Sequence, residues 1–487
     1  MAIHVGRDNF HYLLPDIMRS VSSAAFISVD FEFLGSPSTS GKDSRSLFDT
    51  PHEQYVKICS VVKRFPPCQL GLACFYDFET GIGTGSRYSV DVYCITLFKR
   101  SCKSDFSVSP ATIRFLVQHG FNFNKFVTDG VTYSNRSELA KLEDKISKDV
   151  YDLEVFENGL GERVRSLKMR ILCEMVDESE IFPDHCTKNA SSRRHSVVIH
   201  LFREENEGYE FDECLWDRPL NSLEETLVVF ALSQEFPDFE FHVNEKRTLL
   251  YVGRRPVMYY VTNEEKLIRR QESLKNLLQE IAGISSVFSR IFERKPPLVA
   301  HNCFLDLMYI YNCFHAELPV TYAEWKKEVH ALLPIIVDTK ILAGALKDLH
   351  ATDSNNKRQP SPVILPIRTS LVINGEDESV SLWKRQQSYH NASFDALVTG
   401  DVFIKLAHLF VFTKCSHILD KSLPLHKLFF AVRTEVANKV PFPLTNVDCC
   451  KLVIRTARML LVLVQALSKF ITVDIYCGCP QTLFNQT

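Results

Sequence analysis

Apolar residues in the first 130 positions recur first with the period of a strand and then with that of a helix. Three runs rich in β-branched and aromatic residues predict strands: AFISVDFEF (25–33), QLGLACFY (69–76) and RYSVDVYCITLF (87–98). The segment ATIRFLVQHG (111–120) follows with helical spacing. Residues 1–134 are therefore predicted to form a sheet followed by its first helix.

From about residue 135 the pattern changes to charged residues at helical spacing, which is typical of a solvated helix. Within this region SLEETLVVFALSQEFP (222–237) starts with the capping-box pair Ser222 and Glu225 and predicts a helix. The next segment, FEFHVNEKRTLLYVG (239–253), alternates like a hairpin. These elements predict a small α+β insert domain over residues 135–275.

Strand-to-helix transitions then resume over residues 276–442. PPLVAHNCFLDLMYIYNCF (296–314) and IIVDTKILAGAL (335–346) each begin as a buried strand and continue at helical spacing, which predicts an α/β sheet. A polar stretch between His350 and Gln387 predicts a loop. YHNASFDALVTGDVFIKLAHLF (389–410) predicts a helix that is entered through His390.

Composition narrows the class of protein. With 45% hydrophobic and 24% charged residues, the 487-residue chain is too apolar for a disordered scaffold, and its net charge of −3 excludes nucleic-acid binding by bulk positive charge. The 15 cysteines show no CxxC pairs of zinc-site type, which favours reduced thiols in the cytosol. In the tail over residues 443–487, the apolar runs 459–466 and 470–473 predict a weak membrane-associated helix, because spanning needs about 18 apolar residues.

One apolar strand carries two acids. In FISVDFEF, Asp30 and Glu32 are two residues apart, so their carboxylates face one side of the sheet while Phe31 and Phe33 face the other. Adjacent carboxylates repel each other unless a cation lies between them, and hard oxygen ligands suit Mg²⁺ or Mn²⁺. For this pair alone, an exposed edge strand is the alternative interpretation.

Two further acids lie where strands or loops pass into helices. Asp306 is one turn into the helix that follows LVAHN, and Asp395 is five residues after His390. Four carboxylates can hold two divalent cations about 3.5–4 Å apart, which together act on a phosphodiester. His390 is the candidate general base, because an imidazole pKa of about 6.5 suits proton transfer near neutral pH. A structural role is the alternative for this histidine.

The ordered set VDFEF, HNCFLD and YHNASFD resembles the three motifs of the DEDDh exonucleases. Further segments make the resemblance specific to the poly(A)-specific ribonuclease family: FDTPHEQYVKI (48–58), FLVQHGFNFNK (115–125), GVTY (130–133), VDTK (337–340) and FDALVTG (394–400). The resemblance covers about residues 1–440 and is interrupted by the more divergent insert.

This resemblance implies an α/β, ribonuclease H-like mixed sheet flanked by helices, with one nuclease domain formed by residues 1–134 and 276–442. It implies an enzyme that is a 3′ to 5′ exoribonuclease, uses two Mg²⁺ or Mn²⁺ ions and releases 5′-monophosphate nucleotides. The implied catalytic residues are the metal ligands Asp30, Glu32, Asp306 and Asp395 and the general base His390. The implied substrate contacts are Lys340, Phe31, Phe33 and Phe123, with core packing as the alternative for the phenylalanines.

Departures from the family pattern bear on the substrate. No Arg-x-x-x-His occurs between residues 135 and 275, so packing or dimer formation is an alternative to RNA binding by the insert. After about Phe442 neither an aromatic RNP pattern nor a Lys/Arg cluster occurs. The chain therefore resembles the branch of the family that trims piRNA precursors in germ cells. We expect trimming of single-stranded RNA 3′ ends, with a poly(A) deadenylase or a catalytically silent RNA-binding scaffold as alternatives.

The same resemblance implies partners and a location. They are a Tudor-domain scaffold protein, a second copy of the chain, and the surface of the mitochondrion or endoplasmic reticulum through the C-terminal tail. The first residues, MAIHVGRDNF, do not have the pattern of a signal peptide, which predicts a cytoplasmic protein.

Overall fold

The computed structural model describes most of the regions in which the sequence predicts regular elements. The described residues are 2–35, 46, 48–77, 86–99, 105–148, 160–162, 164–169, 196–200, 220, 222–236, 239–243, 249–254, 263–354, 369–374, 390–414 and 423–439. The predicted tail over residues 443–487 lies outside them.

The named elements alternate between strands and helices along the chain. The strands are β1 (Ile3–Val5), β2 (Phe26–Phe33), β3 (Pro67–Asp77), β4 (Ser86–Thr96), β5 (Ser196–His200), β6 (Phe239–Val243), β7 (Leu249–Arg254), β8 (Leu298–Ala300), β9 (Ile336–Asp338) and β10 (Thr369–Ile373). The helices are α1 (Arg7–Ser23), α2 (Pro51–Arg64), α3 (Pro110–Gln118), α4 (Phe123–Asp129), α5 (Arg136–Ser147), α6 (Ser222–Glu235), α7 (Asn263–Ala282), α8 (Ser285–Arg294), α9 (Phe304–Phe314), α10 (Tyr322–Leu332), α11 (Thr339–Ser354), α12 (Ala392–Lys414) and α13 (Leu425–Val436).

Seven of these strands form one mixed sheet in the order β1-β4-β3-β2-β8-β9, with β10 also paired to β4. The strands β2, β3 and β4 are antiparallel neighbours, whereas β8 pairs parallel with β2 and with β9. The predicted mixed sheet is thus confirmed. Because β8 follows β2 by more than 260 residues, this pairing closes the sheet between the two predicted parts of the nuclease domain.

Alternate residues of β2 face different helical layers. Val29 and Phe31 belong to the core that includes residues of α1, α2, α8 and α9. Phe26 belongs to the opposite core, which includes residues of α11, α12 and α13. On this second side the buried Ser28 hydroxyl donates a hydrogen bond of 2.6 Å to the Ala396 carbonyl of α12. The acids at positions 30 and 32 continue the face that α12 covers.

The interval between His350 and Gln387 is not a loop throughout, so that prediction is wrong in two places. Helix α11 continues to Ser354, and β10 pairs in parallel with the first half of β4, from Thr369 opposite Ser86 to Ile373 opposite Val90. The segment TSLVI of β10 is itself rich in strand-forming residues and buries Val372 and Ile373, so the polar residues on either side of it led to the wrong prediction.

The region predicted as an insert contains its own sheet and core. The strands β5, β7 and β6 form an antiparallel sheet, and β6 and β7 make the predicted hairpin. A separate hydrophobic cluster joins side chains from α5, α6 and α7, and it extends past residue 275 to Leu277 and Ile281. The domain boundaries themselves stay a prediction.

Helix α12 is long and apolar enough to cross a membrane by length and composition alone, the one such helix in the described part of the chain. Its most apolar stretch is 61% buried inside the protein, against the sheet and α13. It is therefore packed as a core helix. The weak membrane-associated helix predicted after residue 443 lies outside the described residues.

Candidate active site

The strand β2 brings Asp30 and Glu32 to the start of α12. Asp30 lies opposite Gly71 of β3, and Glu32 lies opposite Gln69. The Gln69 side-chain oxygen accepts a hydrogen bond of 2.9 Å from the backbone N–H of Ala392, the first residue of α12. Gln69, which faces Glu32 across the two strands, therefore also holds the start of α12.

Asp395 and His390 enter this place from the start of α12. Asp395 is in the first turn of the helix, and its backbone N–H donates to the Asn391 carbonyl at 3.0 Å. His390 precedes the helix in the left-handed region, with φ of 67°. Ligand atoms of Glu32, His390 and Asp395 all lie within 4.8 Å of one another, which is close enough to hold one metal ion.

The fourth acid comes from α9. This helix follows β8, the strand that pairs in parallel with β2. Asp306 is in the first turn of α9 and is only 9% exposed. A hydrogen bond from the backbone N–H of Phe31 stabilises its carboxylate and links α9 directly to β2. The short strand β8 ends at Ala300, so the register of β8 against β2 fixes where Asp306 meets the acid pair.

Burial raises the pKa values of all four carboxylates, and charges within the set add to this for two of them. Burial and then the carboxylates of Asp395 and Asp306 raise the pKa of both Asp30 and Glu32 well above the usual range. Burial likewise raises the pKa of Asp306 and of Asp395 to about 7. No lysine or arginine among the described residues pairs with any of the four acids. The arrangement has the oxygen donors and the uncompensated negative charge that suit Mg²⁺ or Mn²⁺.

These shifts predict that the metal-free protein is less stable at high pH. An acid with a pKa raised from 3.8 to about 7 holds its proton more tightly in the folded state, so folding gains stability below that window and loses it as pH rises from about 4 to about 7. In EDTA, we expect the free energy of unfolding of the wild type to fall between pH 5 and pH 7 more steeply than that of Asp306→Asn, by up to ~1.4 kcal/mol per pH unit. Thermal melts at both pH values measure the difference, and parallel pH profiles would count against a buried acid at this position.

The imidazole of His390 is packed by two aromatic side chains from α3 and the turn after it. Its ring lies edge-on to His119 at 4.2 Å and to Phe115 at 4.7 Å between ring centroids. Desolvation by burial, with a smaller effect of His119, lowers the pKa of His390 to about 4. The ring is neutral at pH 7, and burial makes it a weaker base than the imidazole of pKa about 6.5 assumed from the sequence. In the sequence, Phe115 and His119 stand within the segment FLVQHGFNFNK, where no local pattern predicts a role for either residue.

A further buried acid, Asp338, lies next to Asp306. It was not predicted as a site residue from the sequence. The buried Asp338, at the end of β9, accepts hydrogen bonds of 2.9 Å from the backbone N–H groups of Cys303 and Lys340, and its charge raises the pKa of Asp306. His301 bonds to the Thr339 hydroxyl at 2.8 Å. The available signal was an acid that directly follows a buried strand, as in VDTK.

The predicted substrate contacts are distributed over three places. The Lys340 ammonium donates to the Asn302 side-chain oxygen at 3.1 Å, beside the start of α9. Phe31 is 5% exposed and lies in the core, and Phe33 stacks on Tyr309 at 4.3 Å. Phe123 packs partly buried against Phe121 and Phe126. These contacts favour the core-packing alternative for Phe31, and the substrate roles of all four residues stay predictions.

A glycine allows the close approach of α12 to β3. A Cβ atom added at Gly71 would lie 1.9 Å from the Ala392 carbonyl oxygen and 2.5 Å from the Ser393 nitrogen, both of them backbone atoms. Gly71→Ala must therefore displace the helix end that carries His390 and Asp395. We expect it to destabilise the fold by about 1–3 kcal/mol and to reduce RNA cleavage by about tenfold or more.

Gly344→Ala is the matched control for this substitution, because its added Cβ would meet nothing within 4 Å in α11. It should leave cleavage unchanged and stabilise the helix by up to ~1 kcal/mol. Denaturant melts and single-turnover rates compare the two variants, and equal rates for both would contradict the role assigned to the close approach.

Comparison with known proteins agrees with this geometry. Residues 5–403 match the model of the CAF1 family ribonucleases, so the chain belongs to that family. It is 29% identical to the 3'-5' exoribonuclease parn-1 of Caenorhabditis elegans, over 88% of this chain and 73% of that protein. It is 26% identical to the Poly(A)-specific ribonuclease PNLDC1 of Mus musculus and 27% identical to the Pre-piRNA 3'-exonuclease trimmer of Bombyx mori, in each case over 83% of this chain and 71% of the relative. The predicted family resemblance is confirmed.

Proposed function

We propose that this chain is a divalent-metal-dependent 3′ to 5′ exoribonuclease that trims single-stranded RNA. The observation that carries the proposal is the convergence of Asp30, Glu32, Asp306 and Asp395, from one strand and two helix starts, onto a single buried site. There burial, and then the charges of Asp395 and Asp306, raise the pKa of Asp30 and Glu32. Such a cluster is costly without cations. Membership of a ribonuclease family and the exoribonuclease names of the relatives support RNA as the substrate.

In this proposal the four acids hold two Mg²⁺ or Mn²⁺ ions, in the DEDDh manner. Bound divalent ions supply Lewis acidity to the attacking water and to the leaving oxygen of the phosphodiester. In this proposal His390 accepts the proton of that water at its imidazole, which is neutral at pH 7. Phe115 and His119 restrict the orientation of the ring and exclude water from its edge.

The left-handed backbone at His390 supports a specific placement of the imidazole. Left-handed conformations are uncommon for residues other than glycine and asparagine, and functional sites are where they are retained. Helix α12 begins two residues after His390 and has Asp395 in its first turn. The orientation of the imidazole is therefore linked to that of the Asp395 carboxylate through a short piece of backbone.

For the natural substrate we favour the 3′ ends of piRNA precursors, released as 5′-monophosphate nucleotides. The name of the Bombyx mori relative supports this choice. The name of the Mus musculus relative supports a poly(A) deadenylase as the second candidate. A deadenylase requires adenines at the 3′ end, whereas a trimmer does not. The two candidates can therefore be distinguished by which RNAs are shortened.

The test is incubation of the purified chain with 5′-labelled RNA of about 40 nucleotides, with and without an A-tail, in Mg²⁺, Mn²⁺ or EDTA. Shortening of both RNAs from the 3′ end, in either metal but not in EDTA, is the expected result. Shortening confined to the A-tail would establish the deadenylase. Tight RNA binding without shortening would favour the catalytically silent scaffold, or an enzyme that needs a partner.

Partners and location complete the proposal. A Tudor-domain scaffold, a homodimer, and a cytoplasmic position at the mitochondrial or endoplasmic reticulum surface follow from the family resemblance alone. Size-exclusion chromatography with light scattering tests the dimer, and co-sedimentation with liposomes of mitochondrial composition tests the tail over residues 443–487.

A further inference from the structure

A cavity of about 700 Å³ lies beside the outer edge of the main sheet. Helices α9 and α10, the edge strand β9 at Ile336 and the residues after α13 line it. Asn438 closes the strand edge at this point, because its backbone N–H donates to the Ile336 carbonyl at 2.7 Å and its side-chain oxygen accepts from the Ile336 N–H at 3.0 Å. The cavity is thus bounded by fixed elements, and its size suits a small-molecule or single-residue ligand.

One wall of the cavity is aromatic. Tyr322 and Trp325 lie 6.0 Å apart between ring centroids with their planes inclined by 26°, and Phe304 meets Trp325 edge-on at 5.2 Å. Trp325 is only 3% exposed, yet its indole N–H has no hydrogen-bond partner among the described residues. Because this N–H is itself buried, Trp325 forms the wall behind Tyr322 and does not offer its N–H to a ligand.

The rim of the same cavity is basic. Lys326, Lys327 and Lys439 line it, together with His330, and the described lining contains no carboxylate. The two acids of α10 are engaged elsewhere: Glu324 bonds to Thr321 at the N-cap, and Glu328 accepts from the Tyr311 hydroxyl. On a chain with a net charge of −3, this local excess of positive charge selects for an anion.

The cavity is separate from the acid cluster although both use α9. At 100° per residue, Phe304 and Leu307 lie within about 60° of each other on the helix, while Asp306 points about 100–160° away from them. A ligand in the cavity therefore contacts the opposite side of α9 from the side that carries Asp306.

We propose that this cavity is a second, non-catalytic nucleotide site, with the base against the partly exposed Tyr322 and the phosphate at Lys326 and Lys327. The Lys326 ammonium lies 5.4 Å from the centroid of the Tyr322 ring, so base and phosphate would meet at adjacent groups. Aromatic stacking combined with lysines is the usual basis of sequence-independent binding to single-stranded RNA. The occupant is a nucleotide of the RNA body or a free nucleotide such as the cleavage product. The choice of RNA as the source rests on the proposed exoribonuclease function.

The test measures binding in EDTA, so that no cleavage is needed. Fluorescence anisotropy compares 5′-labelled single-stranded RNAs of about 5 and about 30 nucleotides, lengths on either side of typical site sizes. For Lys326→Glu/Lys327→Glu, we expect the ratio of 30-mer to 5-mer affinity to fall about tenfold and the slope of log affinity against log salt to become shallower by about 1–2. Lys326→Arg/Lys327→Arg should retain most of the wild-type ratio.

Lys145→Glu/Lys148→Glu is the matched control, a double charge reversal on the exposed surface of α5 and after it. It should leave the ratio at the wild-type value.

If AMP competes with the 30-mer on the wild type but not on Lys326→Glu/Lys327→Glu, the site takes free nucleotides. A lowered affinity ratio without AMP competition assigns the site to the RNA body. The proposal would be overturned if Lys326→Glu/Lys327→Glu had the wild-type affinity ratio and the wild-type salt slope, and if AMP did not compete with the 30-mer. Absence of RNA cleavage in Mg²⁺ with a lowered ratio would overturn only the proposed enzyme function.

Discussion

Asp30→Asn is expected to lower metal-dependent RNA cleavage by about 10³-fold or more, while the protein remains folded. The reason is the position of Asp30 among three other carboxylates, where its own charge is needed to hold a cation that contributes several kcal/mol to the transition state. Asparagine keeps the size of the side chain, so the strand register opposite Gly71 is preserved. Single-turnover cleavage of 5′-labelled RNA at saturating Mg²⁺ measures the loss.

A melting experiment separates metal binding from a general effect on the fold. Wild-type protein should gain stability on addition of Mg²⁺, because a ligand that binds only the folded state stabilises it by mass action. Asp30→Asn should lose most of that gain and should melt no lower than wild type in EDTA, since it removes an acid whose ionisation is opposed by burial and by the neighbouring carboxylates.

Asp16→Asn is the control, because Asp16 is an exposed partner of Arg19 on α1 and lies away from the acids. It should have the wild-type rate and the wild-type response to Mg²⁺. Full activity in Asp30→Asn would remove this acid from the catalytic site and, with it, the main support for the proposed mechanism.

His390→Asn is expected to slow the chemical step by about 10²- to 10⁴-fold, the usual contribution of a general base. Asparagine is the substitution of choice because it tolerates the left-handed backbone found at this position, φ of 67°, better than alanine does. It also lacks a group that accepts a proton near neutral pH. The rate is measured at saturating RNA so that changes in binding do not enter it.

The melting response to Mn²⁺ distinguishes a base from a ligand at this position. The nitrogen of His390 lies within 4.8 Å of ligand atoms of Glu32 and Asp395, so the geometry alone admits both roles. A general base predicts that His390→Asn keeps the wild-type gain in melting temperature with Mn²⁺. Loss of that gain would contradict the base assignment and make His390 a metal ligand. His426→Gln, an exposed histidine of α13, is the control and should leave both readouts unchanged.

The local sequence pattern was sufficient to predict those parts of the fold and of the site whose conformation depends mainly on a single short segment. The period of two in FISVDFEF placed Asp30 and Glu32 on one face of β2 and Phe31 in the opposite core, as the structure has them. The spacing after LVAHN and after His390 likewise predicted helices with Asp306 and Asp395 in their first turns. Alternation and helical spacing are fixed by backbone geometry, so they can be read without knowledge of the neighbours.

Pairing between distant segments could not be obtained in this way. The segment TSLVI of β10 favours a strand, but it stands between polar stretches that predict a loop. Its place in the sheet is decided by pairing with β4, more than 280 residues earlier. The helices α1 and α2 were not predicted as elements either, although both pack on the sheet in the core around β2. The stability of such elements comes mainly from tertiary contacts, which propensity does not contain.

The roles of several side chains at the site also depend on the tertiary structure. Asp338 affects Asp306 only because β9 pairs with β8 and brings its carboxylate to the start of α9. Phe115 and His119 become neighbours of His390 across about 270 residues of chain. Nothing within either segment specifies the other as its partner.

By itself, the sequence determined the family, the four acids with their elements, and His390 as the candidate base, because each is encoded in a short motif. Only the tertiary structure decided which backbone atoms hold α12 against Gly71, how burial moves the pKa of Asp306 and Asp395 to about 7, and that a basic aromatic cavity lies on the other side of α9. Distances, desolvation and cavities arise between segments remote in the chain, and the free energy of each depends on all the groups that surround it.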